Sequence, residues 1–280
     1  MEDIYMEEAK MKREYCGRSI EVLDQGFVRL VDFFGNDTSI VQAARVSFNK
    51  GSKGAEKDRE LLRYLMRHRH TSPFEMVEFK FHCKMPIFVA RQWVRHRTAS
   101  LNEQSGRYSK LNNGAYLPNH IRVQDKFNKQ GSTGKLSNEE EVIGIIEAGQ
   151  NAAFTDYDSM LAQGTAKEMA RINLPLSSYT QWYWKMDLHN LFHFLGLRLH
   201  PHAQWEMRQY AEAIFELIKP VVPVACEAFQ DYRLGSCTFT TKEMQVIRTF
   251  LNSVGGLKKA AEESGFEGLE LKEFIDKISG

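Results

Sequence analysis

The sequence predicts a protein that mixes β-strands with α-helices and ends in a helical tail. Three features point there. Val77 to Met85 alternates strictly, with Val77, Phe79, Phe81, Cys83 and Met85 on one side and Glu78, Lys80, His82 and Lys84 on the other, as in a half-buried strand. Behind Asp187, a capping residue, Leu188, Leu191, Phe192, Leu195 and Leu199 keep helical core spacing. Thr240–Leu251, Leu257–Ser264 and Leu269–Ile278 read as small amphipathic helices. The chain therefore divides into an arm (residues 1–19), a body (20–235) and a helical extension (236–280).

Taken in order, residues 1–19 are charged, lack periodicity and read as a mobile or late-docking arm. Ser19–Asp24 and Phe27–Phe34 are strand candidates around Gln25-Gly26. A helix is expected over Thr38–Phe48, capped by Asn36 or Asp37, then a polar loop over Asn49–Gly54. Ala55–Arg69 reads as a helix with Leu61, Leu62, Leu65 and Met66 on one side. Its basic end, Arg67 to His70, complements the helix dipole, and Pro73 keeps Ser72 out of helical conformation. Pro86 fits the first turn of a helix that places Arg91 and Arg95 on one face, followed by a polar loop around Thr98 to Gly106. Leu111–Gly134 is irregular; a long helix follows from about Ser137 to Leu161, weakened by Gly144 and Gly149. Thr165–Asn173 reads as helix, Ser178–Met186 as strand and His202–Lys219 as a long helix. Pro220 and Pro223 break it before a short helix to about Tyr232.

The 280 residues are 42% hydrophobic and 26% charged, enough for one large domain or two small ones. A formal charge of +1 argues against a general nucleic-acid or membrane coat but leaves room for a local anion site. No apolar run reaches the roughly 18–20 residues of a membrane span. The acidic start, Met1 to Glu8, is unlike a secretory signal, so a cytoplasmic location is expected. Cys16, Cys83, Cys226 and Cys237 form no Cys-x-x-Cys and sit in no arginine- and histidine-rich loop. Neither a disulfide scaffold nor a cysteine nucleophile is indicated.

Between Arg91 and Lys110 five basic side chains (Arg91, Arg95, Arg97, Arg107, Lys110) face one acid, Glu103. Arginine offers a rigid donor fork matched to phosphate, yet such a run also serves as a solvated helix end or a salt-bridge cluster. With Trp93 and Tyr108 as stacking surfaces it also reads as a nucleic-acid patch. His189 and His193, with His200 and His202, leave a metal site open, although no Glu follows His189 as a zinc-protease helix requires.

The order Arg95-His96-Arg97, seven residues, then Ser105, flanked by Glu103 and Arg107, resembles the signature of the flavin-dependent thymidylate synthases. Ala170 to Leu176 and the pentad His202-Ala203-Gln204-Trp205-Glu206 are similar to two further motifs of that family, and the resemblance runs from about Val22 to about Tyr232. It implies an α+β subunit, a mixed sheet flanked by helices, assembled as a homotetramer with active sites between subunits. It implies reductive methylation of dUMP to dTMP, with methylenetetrahydrofolate as carbon donor, FAD as electron carrier and NADPH as reductant. The resemblance implies a reaction with no cysteine adduct, and no metal, nucleic acid or membrane is expected. By resemblance Gln92, Trp93, Val94, Arg95, Glu103, Gln104, Ser105, Gly106, Arg107, Arg171 and Arg198 border dUMP. Ser72, Arg95, His96, Arg97, Glu103, Asp187, Leu188, His189 and His193 border FAD. Arg198 would promote ionisation at N3 of the pyrimidine and Ser105 would position the nucleotide. Many members carry asparagine or arginine where this chain has Asp187, His189 and His193. The extension lies outside the resemblance.

Overall fold

The computed structural model describes residues 2–46, 54–111, 114–126, 129 and 131–279. Its strands are β1 (Ser19–Val22), β2 (Gly26–Phe34), β3 (Glu78–Pro86), β4 (Ser100–Glu103), β5 (Val123–Gln124), β6 (Ser132–Thr133) and β7 (Tyr179–Asp187). Its helices begin with α1 (Glu2–Tyr15), α2 (Asp37–Val46), α3 (Ala55–Arg67), α4 (Ile87–Trp93), α5 (Glu139–Ala162) and α6 (Lys167–Ala170). They continue with α7 (Leu188–Arg198), α8 (Trp205–Ile218), α9 (Pro223–Phe229), α10 (Thr241–Val254), α11 (Leu257–Glu263) and α12 (Gly268–Ser279). Residues 1–234 form one compact unit and 235–280 another.

The alternation at Val77–Met85 becomes β3, the middle of a five-stranded sheet ordered β1-β2-β3-β7-β4. Its α+β class and helix-flanked sheet agree with the expectation. The mixed strand direction does not: every described pairing in the sheet is antiparallel. Register sets Phe81 opposite Trp184 and Cys83 opposite Trp182, so large side chains from both strands share one buried face. α4, α7 and α8 pack in the same body of the fold. Its wedge is Trp93, fully buried, with ring centroids 5.4 Å from Trp182, 5.1 Å from Trp184, 5.3 Å from Phe194 and 5.9 Å from Tyr210. Each such aromatic removes roughly 150–250 Å² from water, the dominant stabilising term in a core of this kind.

Several local expectations are corrected. The N-terminal arm is helical over α1, and its Met11 and Tyr15, with Cys16, pack on the core. α2 begins at Asp37, whose carboxylate accepts from the backbone N–H groups of Val224 (2.7 Å) and Ala225 (3.0 Å), fixing the first turn of α9. Burial is the largest influence on Asp37 and raises its pKa to about 6. The expected end of that helix at Phe48 and the loop Asn49–Lys53 lie outside the described residues. Polar residues after Thr98 are not all loop: Ser100–Glu103 adds to β7 as an edge strand.

The second unit holds α10, α11 and α12, close to the stretches read from the sequence. Thr240 and Glu243 form a reciprocal capping box on α10. Arg248 donates to the carbonyls of Lys277 and Ile278 at the end of α12, where a cation complements the helix dipole.

Candidate active site

α4 is short. Pro86 is the last residue of β3 and the N-cap, and the helix closes with Val94 N–H on Ala90 O and His96 N–H on Trp93 O. Arg95 therefore lies beyond the helix and does not share a helical face with Arg91, because anchoring of Trp93 in the core ends the helical run there. Arg91, Arg95 and Arg97 are all exposed, and among the described residues none enters an ion pair within the chain. Val94 is exposed beside them. Trp93 was expected to border dUMP. Its indole is enclosed by the aromatic cluster, so its side chain anchors the segment instead of meeting a ligand.

Arg198, the last residue of α7, donates from Nε to His96 Nε2 at 3.0 Å and from a terminal nitrogen to the Gln92 carbonyl at 3.2 Å. His96 must be neutral to accept, with its proton on Nδ1. Burial first, then the charges of Arg198 and His193, lower its pKa to about 4. The Gln92 amide bonds to Gln204, whose own amide donates to Glu206 at 2.9 Å. Glu206 is buried and pairs with Arg122 at 2.5 Å, while the guanidinium of Arg122 sits 5.2 Å from the Trp205 ring. The pentad His202 to Glu206 thus contributes a clamp on Gln92 that sequence reading recognised only as a motif. Arg122 had no signal, being one basic residue in an irregular stretch.

A second group forms where β4 runs into the loop. Glu103 accepts from the Thr180 hydroxyl at 2.6 Å, and Gln104 N–H bonds to the Gln181 carbonyl at 2.9 Å. The Ser105 carbonyl receives the N–H groups of Tyr108 and Ser109, and its hydroxyl receives that of Arg107. A Cβ on buried Gly106 would stand 2.9 Å from Leu111 and 3.2 Å from the Arg171 side chain, so glycine is what allows Arg171 to close on this loop. Arg107 pairs with Glu168 at 2.8 Å with both side chains well exposed, an interaction worth about 0–1 kcal/mol that an incoming phosphate can replace.

Beside His96 opens a cleft of about 430 Å³. Leu65, Met66, Phe74, Phe192 and Phe229 supply apolar lining; Arg69, His70, Thr71, His189, His193 and Arg233 supply the polar groups. The His96 and His193 rings are 6.2 Å apart, so this cleft abuts the Arg198 cluster. Ser72, exposed, follows Thr71 in the turn that enters β3. Asp187 caps α7, accepting from Asn190 N–H at 2.9 Å and from the Asn190 side chain at 2.7 Å. Leu188, expected against FAD, is instead fully buried and spends its N–H on the Val77 carbonyl at 2.8 Å. His200 and His202 meet edge to face with ring centroids 4.8 Å apart, and among the described residues no group of three or more His, Cys, Asp or Glu side chains is gathered as a metal site. Sequence reading missed Arg69 and Arg233 as lining residues. Cys83 and Cys226 are buried, and burial raises both thiols' pKa values.

An arginine–imidazole cluster abutting an apolar cleft ringed with basic side chains defines a site for anionic, aromatic ligands. Residues 29–224 match the family described as thymidylate synthase complementing protein. A flavin-dependent thymidylate synthase of Thermus thermophilus is 53% identical over 262 residues, covering 94% of this chain and 96% of that one. One from Treponema denticola is 47% identical over 266 residues, covering 93% and 97%. The crystal structure of a UMP/dUMP methylase, PolB from Streptomyces cacaoi, bound with 5-Br dUMP, superposes with a TM-score of 0.71 at 35% identity, covering 76% of this chain and 98% of that one. The chain belongs to the flavin-dependent thymidylate synthase family.

Proposed function

We propose that this chain is a flavin-dependent thymidylate synthase that methylates dUMP to dTMP, with methylenetetrahydrofolate as carbon donor, NADPH as reductant and FAD in the cleft beside His96. The observation that carries this is the contact of Arg198 with neutral His96 at 3.0 Å, which holds a cation between Gln92 and the cleft. The cleft fits the cofactor chemically. Its volume lies in the roughly 300–1,000 Å³ range of cofactor pockets, its apolar lining suits a planar ring, and its basic groups suit phosphates. Bound there, the flavin supplies the electron-carrying chemistry.

The protein's part is binding, orientation and electrostatics. Arg198 faces the pyrimidine and favours the N3 anion, since a fixed cation in a partly dry site stabilises developing negative charge. Its burial lowers its own pKa from the ordinary arginine value, a cost that the His96 and Gln92 acceptors offset. Gln92, Val94, Arg95, Glu103, Gln104, Ser105, Gly106, Arg107 and Arg171 border the nucleotide, with unpaired Arg95 available to its phosphate. Ser72, Arg95, His96, Arg97, Glu103, His189 and His193 border FAD, with Asp187 holding the start of α7 beneath them. Ser105 positions dUMP through its turn. Burial of Cys83 and Cys226 removes both as thiolate nucleophiles.

Assembly as a homotetramer with shared sites is part of the same reading. Val94, Leu101, Met169, Ile172 and Leu176 are exposed apolar residues on the segments that carry the site residues, a feature of surfaces that become buried on association. Every proposed site residue falls in the first unit, so the domain of residues 20–235 carries the chemistry and the extension is additional to it. Among the described residues no helix is long and apolar enough to cross a membrane, and the four cysteines are free, which accords with a reducing cytoplasm.

The test is an absorption spectrum of the purified full-length chain followed by a dUMP-dependent dTMP assay with methylenetetrahydrofolate and NADPH. A flavin band and dTMP formation are expected. A protein that binds no FAD, or that binds oligonucleotides with steep salt dependence and forms no dTMP, would refute the proposal.

A further inference from the structure

Glu206, the second residue of α8, is buried, and its carboxylate oxygens are divided between two sets of donors. Arg122 donates to Oε1 at 2.5 Å and the Tyr116 hydroxyl to the same oxygen at 3.3 Å. The Gln204 amide donates to Oε2 at 2.9 Å. A carboxylate held in this way only accepts, and that fixes the polarity of everything beyond it. Gln204 has to turn its NH2 to Glu206. Its amide oxygen is then left for Gln92, whose NH2 donates to it. Gln92 is left in turn with a carboxamide oxygen. Among the described residues nothing donates to that oxygen, and Gln92 is only partly buried.

Two amides in series therefore carry the sign of a buried charge to the residue whose backbone carbonyl receives Arg198 at 3.2 Å. The two ends of a glutamine carboxamide are nearly the same size, so packing does not choose between them. Hydrogen-bond partners do. Without a group at the far end that only accepts, the series could run in either direction, and Gln92 could offer a donor as readily as an acceptor.

We propose that Glu206 is a positioning residue that acts through Gln204 to turn the Gln92 carboxamide oxygen, and not its NH2, to the nucleotide, where it accepts from a donor of dUMP. This rests on the reading of Gln92 as a neighbour of dUMP. Outside its phosphate dUMP has two donors, N3–H and the 3′-hydroxyl. Arg198 favours loss of the N3 proton, so the 3′-hydroxyl is the donor expected. Full-length, FAD-loaded wild type, Glu206→Gln, Gln204→Ala and the double variant are titrated with three nucleotides. These are dUMP, 2′,3′-dideoxyuridine monophosphate, which lacks the 3′-hydroxyl, and N3-methyl-dUMP, which lacks N3–H.

Glu206→Gln inverts the series. Arg122 and Tyr116 keep the new amide's oxygen on their side, so its NH2 faces Gln204. Gln204 turns over, and Gln92 presents NH2 to the nucleotide. Affinity for dUMP falls about tenfold, the effect of losing one hydrogen bond and leaving its donor unmet. Gln204→Ala cuts the series and leaves Gln92 free to turn either way, so its loss is about threefold or less. In that background Glu206→Gln adds less than about twofold, because its route to Gln92 is gone. A tenfold loss from Glu206→Gln with or without Gln204 would mean that Glu206 serves only the fold and would overturn the proposal. Equal binding of the dideoxy nucleotide by wild type and Glu206→Gln assigns the contact to the 3′-hydroxyl. Equal binding of N3-methyl-dUMP assigns it to N3–H instead. A tenfold loss on all three nucleotides would overturn it. Should Glu206→Gln not fold, Gln204→Ala decides alone: an unchanged preference for dUMP over both analogues would overturn the relay. Failure of FAD-loaded wild type to bind dUMP would overturn the functional reading as well.

Discussion

Acidification is expected to cost this protein stability through His96. The imidazole accepts from Arg198 at 3.0 Å, and its ring centroid lies 4.9 Å from that of Phe194. Burial is the largest cause of its lowered pKa, from 6.5 to about 4. A histidine whose folded pKa lies below its unfolded one takes up its proton more readily in the unfolded chain. Its contribution is therefore fully present above about pH 6.5 and drains away as pH falls towards about 4. A gap of that size corresponds to at most about 3 kcal/mol. His96 is only half buried, and solvent screening reduces this to about 1–2 kcal/mol. Urea unfolding at pH 7.5 and 4.5, at one protein concentration, reads it directly. His96→Asn keeps an acceptor for Arg198 but does not titrate. Wild type should lose about 1–2 kcal/mol more than His96→Asn over that interval. Equal losses in the two proteins would refute the neutral, half-buried histidine and with it the described placement of Arg198.

Three further outcomes are expected. Arg198→Ala folds and retains FAD but loses about 10²–10³-fold in turnover, as when one electrostatic donor is removed from a catalytic site; near-wild-type dTMP formation would remove its assigned role. Gly106→Ala weakens dUMP binding with little change in FAD affinity, because the added methyl, 3.2 Å from Arg171, displaces that side chain; equilibrium titration with both ligands checks it. Trp93→Ala, which empties a fully buried site among four aromatic rings, costs about 3–5 kcal/mol in chemical denaturation, whereas a loss of dUMP affinity at unchanged stability would return Trp93 to the ligand.

How far the sequence could be read depends on how local the determining physics is. β3 was legible because its alternation records which face is buried, and Asp187 because a cap acts on the backbone three residues away. The tail helices were legible because they are amphipathic on their own. β4 was not: its four residues are exposed on an edge strand and carry no alternation. The length of α4 was misjudged because what stops it is Trp93 docking against residues far along the chain. At the candidate site, the motif around Arg95-His96-Arg97 could not separate side chains that stay exposed, such as Arg95, from those that face the core, such as Trp93. Gln92 and Gln204 meet across 112 positions, and no local pattern records that bond. Arg69 was hidden for a different reason. Its left-handed backbone is imposed by the hydrogen bonds that end α3, and sequence alone favours glycine there.

The two faces of the basic segment explain each other. Trp93 is locked by Trp182, Trp184, Phe194 and Tyr210, so the residues on either side of it inherit a fixed position without spending their own polar groups. Gln92 on one side and His96 on the other then hold Arg198 through a carbonyl and an imidazole, both neutral acceptors. Neither neutralises the guanidinium as a carboxylate would. Among the described residues Arg95 and Arg97 likewise have no acid paired with them, which exposure to water makes inexpensive in the free protein. A segment built for stability alone would pair these cations. Leaving them unpaired on a rigid aromatic anchor preserves positive potential where phosphate or a pyrimidine anion would arrive, and it lets the ligand provide the missing charge instead of competing for it.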